Sequence, residues 1–320
     1  MLDLNSSSTY QIPHFVLICF PRFQNWQHWL SIPLALLLFV AIVANITMLV
    51  VVWREESLHE PMYYFLSILA AIDLVLCTTT TPKILGILCF DLRTIDLAGC
   101  FTQMYFMSTF LEMESTTFLF MAYDRYAAIC NPLRYSSVIT GSFVGKALLF
   151  ILGRNILIVL PMPLLAARHR YCSRNIIENC ICSNVSVTSL ACADNTINRI
   201  YQLIIAFGFL GGDFILICLS YCVILWVVLK LQSDGSAMKA FGTCISHLIL
   251  ISFFYSILLV LIFTNFSNIS IPKEVPIMLN VLHLLAPPAL NPIVYGVRTK
   301  EIRQGIMKML INIQHILKFR

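Results

Sequence analysis

The chain has 320 residues, 59% of them apolar and 12% charged, with a formal net charge of +5 at pH 7. Soluble domains run near 45–50% apolar and roughly 25% charged, so this composition, with a mean hydropathy of +0.83, excludes a water-soluble enzyme, a disordered chain and a small secreted disulfide protein. The basic residues are scattered rather than gathered on one soluble domain, so no nucleic-acid partner is expected.

What remains is a chain that crosses a membrane several times. A bilayer's hydrocarbon core is about 30 Å thick and is spanned by about 20 mostly apolar residues in a helix. In chain order, seven stretches qualify: 30–52, 62–90, 97–123, 144–167, 201–229, 241–264 and 275–296. They are continuous runs, unlike the alternating segments of about 10 residues that a lipid-spanning barrel requires. The loops between them are too short to fold alone. The expected fold is therefore an all-α membrane protein of one domain over 1–320, with an N-terminus over 1–28, a seven-helix bundle over 29–296 and a tail over 297–320.

Orientation follows from Lys and Arg in the short loops. One side carries Arg22, Arg93, Arg168, Arg170, Arg174, Arg199 and Lys273. The other carries Arg54, Arg125, Arg134, Lys146, Lys230, Lys239, Arg298, Lys300, Arg303, Lys308, Lys318 and Arg320. The richer side is expected in the cytoplasm, which puts the N-terminus outside and the protein in the plasma membrane. Asn5-Ser6-Ser7 near the N-terminus is a glycosylation sequon, so Asn5 is the expected acceptor. Asn184, Asn265 and Asn268 head further sequons in outer loops, whereas Asn45-Ile46-Thr47 falls inside span one and arises by chance. Met1–Tyr10 lacks the basic start of a cleavable signal peptide, so span one is expected to direct insertion. All four Trp stand near membrane faces, as interfacial belts require. After span seven, Ile302, Ile306, Met309, Ile313 and Ile316 recur at three- and four-residue steps opposite Lys300, Arg303 and Lys308. That is an amphipathic helix expected to lie against membrane lipid.

Of twelve Cys, Cys77, Cys89, Cys130, Cys218, Cys222 and Cys244 lie in or at the ends of spans and read as small apolar fillers. Cys100, Cys172, Cys180, Cys182 and Cys192 face the oxidising side and are disulfide candidates. Five is odd, so one is free unless the isolated Cys19 joins, and connectivity stays open. No regular His partner accompanies them, so neither a zinc site nor any other metal or cofactor is expected.

A charge within a spanning helix is costly and marks function by default. Asp73, Glu112, Glu114, Arg154 and Asp213 qualify, with Asn45 and Asn291 as neutral companions. A bundle would bring Asp73, Glu114 and Asn291 together near mid-membrane, as an ion- or proton-binding switch or as a static hydrogen-bond network holding helices in register. Arg154 is expected to brace a neighbouring helix or snorkel. At the inner end of span three, Asp124 can hold Arg125 in a local ion pair whose release would expose a cation to a cytoplasmic partner.

Asp124-Arg125-Tyr126, together with Asn291-Pro292-Ile293-Val294-Tyr295, resembles the rhodopsin-like G-protein-coupled receptors. Longer strings resemble the odorant receptors within them: Leu58-His59-Glu60-Pro61-Met62-Tyr63-Tyr64-Phe65-Leu66, Met121 to Cys130, Ser220-Tyr221, Lys239 to His247, and Pro287 to Lys300. The Lys239–His247 string, Gly212-Asp213 and Val297-Arg298-Thr299-Lys300 resemble the class I, or fish-like, branch. The resemblance implies disulfides Cys100–Cys182 and Cys172–Cys192, with Cys180 an extra thiol outside the pattern. It implies a G-protein switch of Asp124, Arg125, Tyr126, Tyr221, Asn291 and Tyr295, and a polar core of Asn45, Asp73 and Glu114. Two positions depart from the pattern: Ala44 stands where a Gly usually precedes Asn45, and span six has no Pro to hinge on.

The outer half of span three shows Met104, Met107, Ser108 and Leu111 on one helical face. Gln202 and Ala206 from span five, Tyr255, Leu259 and Ile262 from span six, and Val185 from the second outer loop complete an apolar ligand pocket, with Ser108 or Gln202 as the orienting hydrogen-bond group. Met107 stands where amine receptors place an Asp, which counts against biogenic amines. Thr264-Asn265-Phe266 supplies no basic residue to meet an acid, which counts against carboxylates. The expected function is reception of a small, partly hydrophobic odorant and activation of a stimulatory, olfactory-type heterotrimeric G protein that raises cyclic AMP. A same-fold receptor for a metabolite or peptide is the alternative. A transporter or channel is disfavoured by the lack of an internal repeat. An enzyme is disfavoured because no nucleophile, base and orienting group fall together.

Overall fold

The computed structural model describes residues 13–171, 175–230, 235–266 and 271–318. Asn5, Cys172 and the last residues of the amphipathic tail lie outside them. His14–Leu17 alternates exposed His14 with buried Phe15 and Leu17, the period-two pattern of a half-buried strand, and forms β1. β1 runs antiparallel to β2 (Thr94–Asp96), with Phe15 opposite Ile95. On its other side it runs parallel to β3 (Ile176–Ile177), with Leu17 opposite Ile177. The sequence reading left 1–28 as a plain terminus, because a four-residue strand carries too little periodicity to stand out beside long apolar runs.

The helices follow in order: α1 (Gln27–Arg54), α2 (Pro61–Phe90), α3 (Leu97–Cys130), α4 (Pro132–Val138), α5 (Gly141–Val159) and α6 (Pro161–Ala167). The short α7 (Asn184–Thr188) lies in the loop after α6. Span five is α8 (Thr196–Leu203), a π-helical stretch at Ile204–Leu210, and α9 (Gly211–Lys230). α10 (Gly235–Phe266), α11 (Glu274–Arg298) and α12 (Lys300–Lys318) complete the chain. Six of the spans are long and apolar enough to cross a membrane. The seventh, α3, is the longest helix at 34 residues but the most polar of them. It packs against α2, α5, α9 and α10, so Thr109, Glu112, Glu114, Ser115, Thr116 and Thr117 are buried against protein rather than on the bundle exterior.

Local chemistry sets the helix ends. Asp96 accepts a hydrogen bond from the Gly99 N–H (3.2 Å) and caps α3, satisfying one of the free amides at a helix start. Asp91 ends α2 in the left-handed region at φ 57, and the Leu92 N–H returns to the Gly86 carbonyl at 3.1 Å, a Schellman-type close. Span four is interrupted at Leu160, between α5 and α6, because Pro161 has no N–H to continue the ladder. α12 turns off α11 and lies on α1: a Cβ at Gly305 would stand 2.7 Å from Val51 Cγ1, so only glycine allows this approach. Ile302 is fully buried there.

The apolar interior forms two main clusters. One, around Phe15, Leu76, Met104, Ile181 and Leu285, lies at the end carrying the small sheet. The other, around Phe65, Phe118, Ile224, Phe254 and Tyr295, lies at the end carrying Arg125. Two disulfides fasten the loop between α6 and α8 over the sheet end: Cys100–Cys182, as the resemblance implies, and Cys19–Cys180. The second corrects the reading of Cys180 as an extra thiol. β1 carries the segment after it to within 4.3 Å of Cys180, Cα to Cα, a proximity that a strand pairing 160 residues away conceals from sequence spacing. Cys192 is also disulfide-bonded.

Candidate functional site

Between α3, the outer part of span five (α8 and the π-helical stretch), α10 and α11, under the disulfide-held loop, lies a cavity of about 400 Å³, within the range of small-molecule sites. Met107, Ser108, Leu111, Val185, Gln202, Ala206 and Ile262 line it together, as their helical spacing suggests. Three residues expected on the lining lie elsewhere. Met104 is fully buried in the core cluster beside the sheet, one turn too near the loop to face the space. Tyr255 is turned into the bundle, its hydroxyl 2.7 Å from that of Ser115. Leu259 is 55% exposed, because it follows the lining residue Leu258 by about 100° around the helix and so leaves the cavity face.

The sequence reading missed Glu112, Asn179, Asn184, Phe254, Asn280 and His283, all of which line the space. Glu112 follows Ser108 by four residues and so shares its face; that spacing was visible. His283 and Asn280 lie three residues apart on one face of α11, but nothing in that spacing says that the face meets the cavity. The polar lining is organised. Asn184 donates to Gln202 Oε1 at 2.7 Å, so Gln202 is already committed, and Ser108 faces the Met162 sulfur at 3.7 Å. At the mouth, Lys273 pairs with Glu178 at 2.5 Å, both substantially exposed. An acid therefore does reach the lining, through Glu112, although Met107 occupies the position where one was sought.

Next to the cavity, a charged cluster joins three spans. Arg154 of α5 pairs with Asp213 of α9 at 2.8 Å and also donates to Thr116 Oγ1 at 2.7 Å. Ser115 and Thr116 of α3 each donate to Asp213 at 3.3 Å. Arg154 thus braces its neighbours, as expected of a charge that must be paired inside a bundle.

Deeper, Asn291 of α11 donates to Asp73 Oδ2 at 3.0 Å and to Glu114 Oε1 at 3.2 Å. Both carboxylates are fully buried, and one amide serves both, which ties α2, α3 and α11 together. Asn45 takes a separate place, donating to the Ala41 and Pro288 carbonyls. Among the described residues, no group of three or more His, Cys, Asp or Glu is placed to hold a metal ion.

At the far end, Asp124 Oδ2 holds Arg125 at 2.5 Å and 2.9 Å through two guanidinium nitrogens, and Tyr135 of α4 donates to Asp124 Oδ1 at 2.9 Å. Burial first, and then the Asp124 carboxylate, raise the Tyr135 phenol well above its ordinary pKa, so it keeps its proton and its donor role. Tyr126 is half-buried and stacks on Tyr123 at 6.3 Å. Tyr221 and Tyr295 are buried in the core cluster of this end, and neither hydroxyl has a partner among the described residues.

Residues 34–313 match the olfactory receptor family. The chain is 56% identical over 310 residues to olfactory receptor 56A4 of Homo sapiens, covering 97% of this chain and 99% of that one. It is 49% identical over 308 residues to olfactory receptor 56B34 of Mus musculus, covering 96% of each. With olfactory receptor 52K1 of Homo sapiens it shares 39% over 310 residues, 97% of this chain and 98% of that one. A bundle of spanning helices, a loop-covered cavity at one end and a clamped arginine at the other thus belong to a member of the olfactory receptor family, a receptor of the rhodopsin-like G-protein-coupled type and not an enzyme.

Proposed function

We propose that the cavity takes a small, partly hydrophobic odorant and that its occupation activates a stimulatory, olfactory-type heterotrimeric G protein to raise cyclic AMP. The observation that carries this reading is the separation of two built ends along α3. Ser108 and Leu111 line a mostly apolar cavity, while Arg125 on the same helix is clamped by Asp124. A ligand shifts such a molecule only if it binds one arrangement of the helices more tightly than the other. Release of Arg125, with Tyr126, Tyr221, Asn291 and Tyr295 around it, would then offer a cation to the G protein.

In this reading the cavity end and the small sheet face outward in the plasma membrane, the Arg125 end faces the cytoplasm, and α12 rests on membrane lipid. Asn5 carries glycan, Cys172 pairs with Cys192, and Asn45, Asp73 and Glu114 act as the polar core through which the ends communicate. The test is a cyclic-AMP response to a broad odorant panel in cells bearing the receptor, beside the Arg125→Ala variant at equal surface expression. A response in the receptor that is lost in the variant supports the reading. A response that survives the substitution removes Arg125 from the mechanism.

A further inference from the structure

The innermost lining residue contributed by each of four spans defines the cavity floor: Glu112 on α3, Leu210 at the end of the π-helical stretch of span five, Phe254 on α10 and His283 on α11. Two of these carry titratable side chains. Glu112 is 3% exposed and His283 is 4% exposed. Glu112 Oε2 and His283 Nδ1 are buried polar atoms with no hydrogen-bond partner among the described residues. Leaving such an atom unpaired costs about 1–3 kcal/mol, more for a charged group, so a floor built this way is complementary to a ligand that fills the missing bonds.

The charge arrangement gives the sign. The Arg154 guanidinium is committed to Asp213 and Thr116. No ion pair to Glu112 occurs among the described residues. At the mouth, the Lys273 cation is matched by Glu178. The cavity thus has a neutralised entrance, a mostly apolar lining in which Asn184 and Gln202 are paired with each other, and a floor carrying the Glu112 carboxyl.

We propose that Glu112 is the specificity-determining residue of this cavity and that the receptor selects small molecules with an apolar body and a hydrogen-bond-donating head, an amine or alcohol, lodged on the Glu112 carboxyl with His283 as the second acceptor. The assignment rests on the proposed odorant-receptor reading and adds the class of ligand. It sets aside the sequence argument against amines, which considered only the position held by Met107. Carboxylates and other heads without a donor meet an acid at the floor and are rejected.

The test is a cyclic-AMP assay on the full-length receptor in cells with a panel sorted by head group at matched carbon skeletons, including n-octylamine, n-octanol, octanal and octanoate. Wild type is compared with Glu112→Gln and Glu112→Leu at measured surface expression. Amines or alcohols are expected to act at the lowest concentrations. Glu112→Leu is expected to reduce their potency about ten- to a hundredfold, the range for leaving a buried hydrogen-bonding group unpaired, and to abolish the ranking of head groups. Glu112→Gln, nearly the same size, is expected to retain alcohols better than amines. If neither variant reaches the surface, the wild-type ranking alone decides. Octanal or octanoate acting first in wild type, or an unchanged ranking in Glu112→Leu, overturns the assignment and leaves the odorant-receptor reading standing. A surface-expressed receptor that answers no head group in the panel overturns both.

Discussion

The side-chain amide of Asn45 in α1 donates to the main-chain carbonyl of Pro288 in α11 at 2.8 Å, across 243 residues of sequence. The reason lies four residues further on. In an α-helix the Pro288 carbonyl would accept from the N–H of residue 292, and Pro292 has none. α11 contains Pro287, Pro288 and Pro292, and inside an apolar bundle a freed carbonyl must find its donor elsewhere. Asn45→Leu is expected to leave that carbonyl unpaired, at a cost of about 1–3 kcal/mol, and to lower the thermal stability of the purified receptor. Asn45→Leu at wild-type stability would show that the bond is dispensable.

The Arg154–Asp213 pair makes a prediction of opposite sign for single and double changes. Removing one partner of a buried pair strands a charge and costs about 3–5 kcal/mol, whereas replacing both with apolar residues is often neutral. Asp213→Leu is therefore expected to abolish surface expression, and Arg154→Leu with Asp213→Leu to restore most of it. A double variant as poorly expressed as the single would show that the Ser115 and Thr116 bonds to Asp213, rather than the ion pair, hold these helices.

The clamp on Arg125 predicts a gain of signal. Asp124 makes two hydrogen bonds to Arg125 and receives a third from Tyr135. Asp124→Ala is expected to raise basal cyclic AMP several-fold without ligand. Tyr135→Phe, which removes only the orienting bond, worth about 1 kcal/mol, should raise it less. Basal signalling equal to wild type in both would place the resting lock elsewhere.

Cys19–Cys180 ties the first strand to the loop that roofs the cavity, and Asn179 and Ser183 beside it line the space. Cys19→Ser, Cys180→Ser and the double change are expected to weaken odorant potency equally, since either single change already breaks the bond. The stability lost should be of order 2–4 kcal/mol. Unequal singles, or peptide mapping under non-reducing conditions that finds no Cys19–Cys180 peptide, would remove this bond from the roof.

Gly305 lets α12 lie on α1. Gly305→Val is expected to drive the helix off Val51 and increase amide hydrogen exchange along α12, with Gly305→Ala intermediate. Breaking the exposed Lys308–Glu55 pair (2.7 Å) by Lys308→Ala should change exchange little, because such pairs contribute under about 1 kcal/mol. If Lys308→Ala loosens α12 more than Gly305→Val, the contact is electrostatic rather than steric.

The number of spanning helices, their approximate limits, and the amphipathic helix at the end were legible in the sequence. Apolar length and helical period belong to each segment alone, so they survive without knowledge of neighbours. The Asp124–Arg125 clamp was legible for the same reason, since its partners are adjacent in the chain. Which wall of each helix faces the cavity was only partly legible: Met107, Ser108 and Leu111 share an arc of α3 that periodicity reveals, while Met104 on the same arc lies a turn too near the loop and Leu259 of α10 points off the cavity face. Tertiary structure alone decided that Cys180 meets Cys19, that Asn45 repairs a carbonyl of α11, that Arg154 is consumed by Asp213, and that Glu112 Oε2 is left without a partner among the described residues. Each depends on the rotation and depth of one helix against others far away in sequence, and those are set by the packing of the whole bundle.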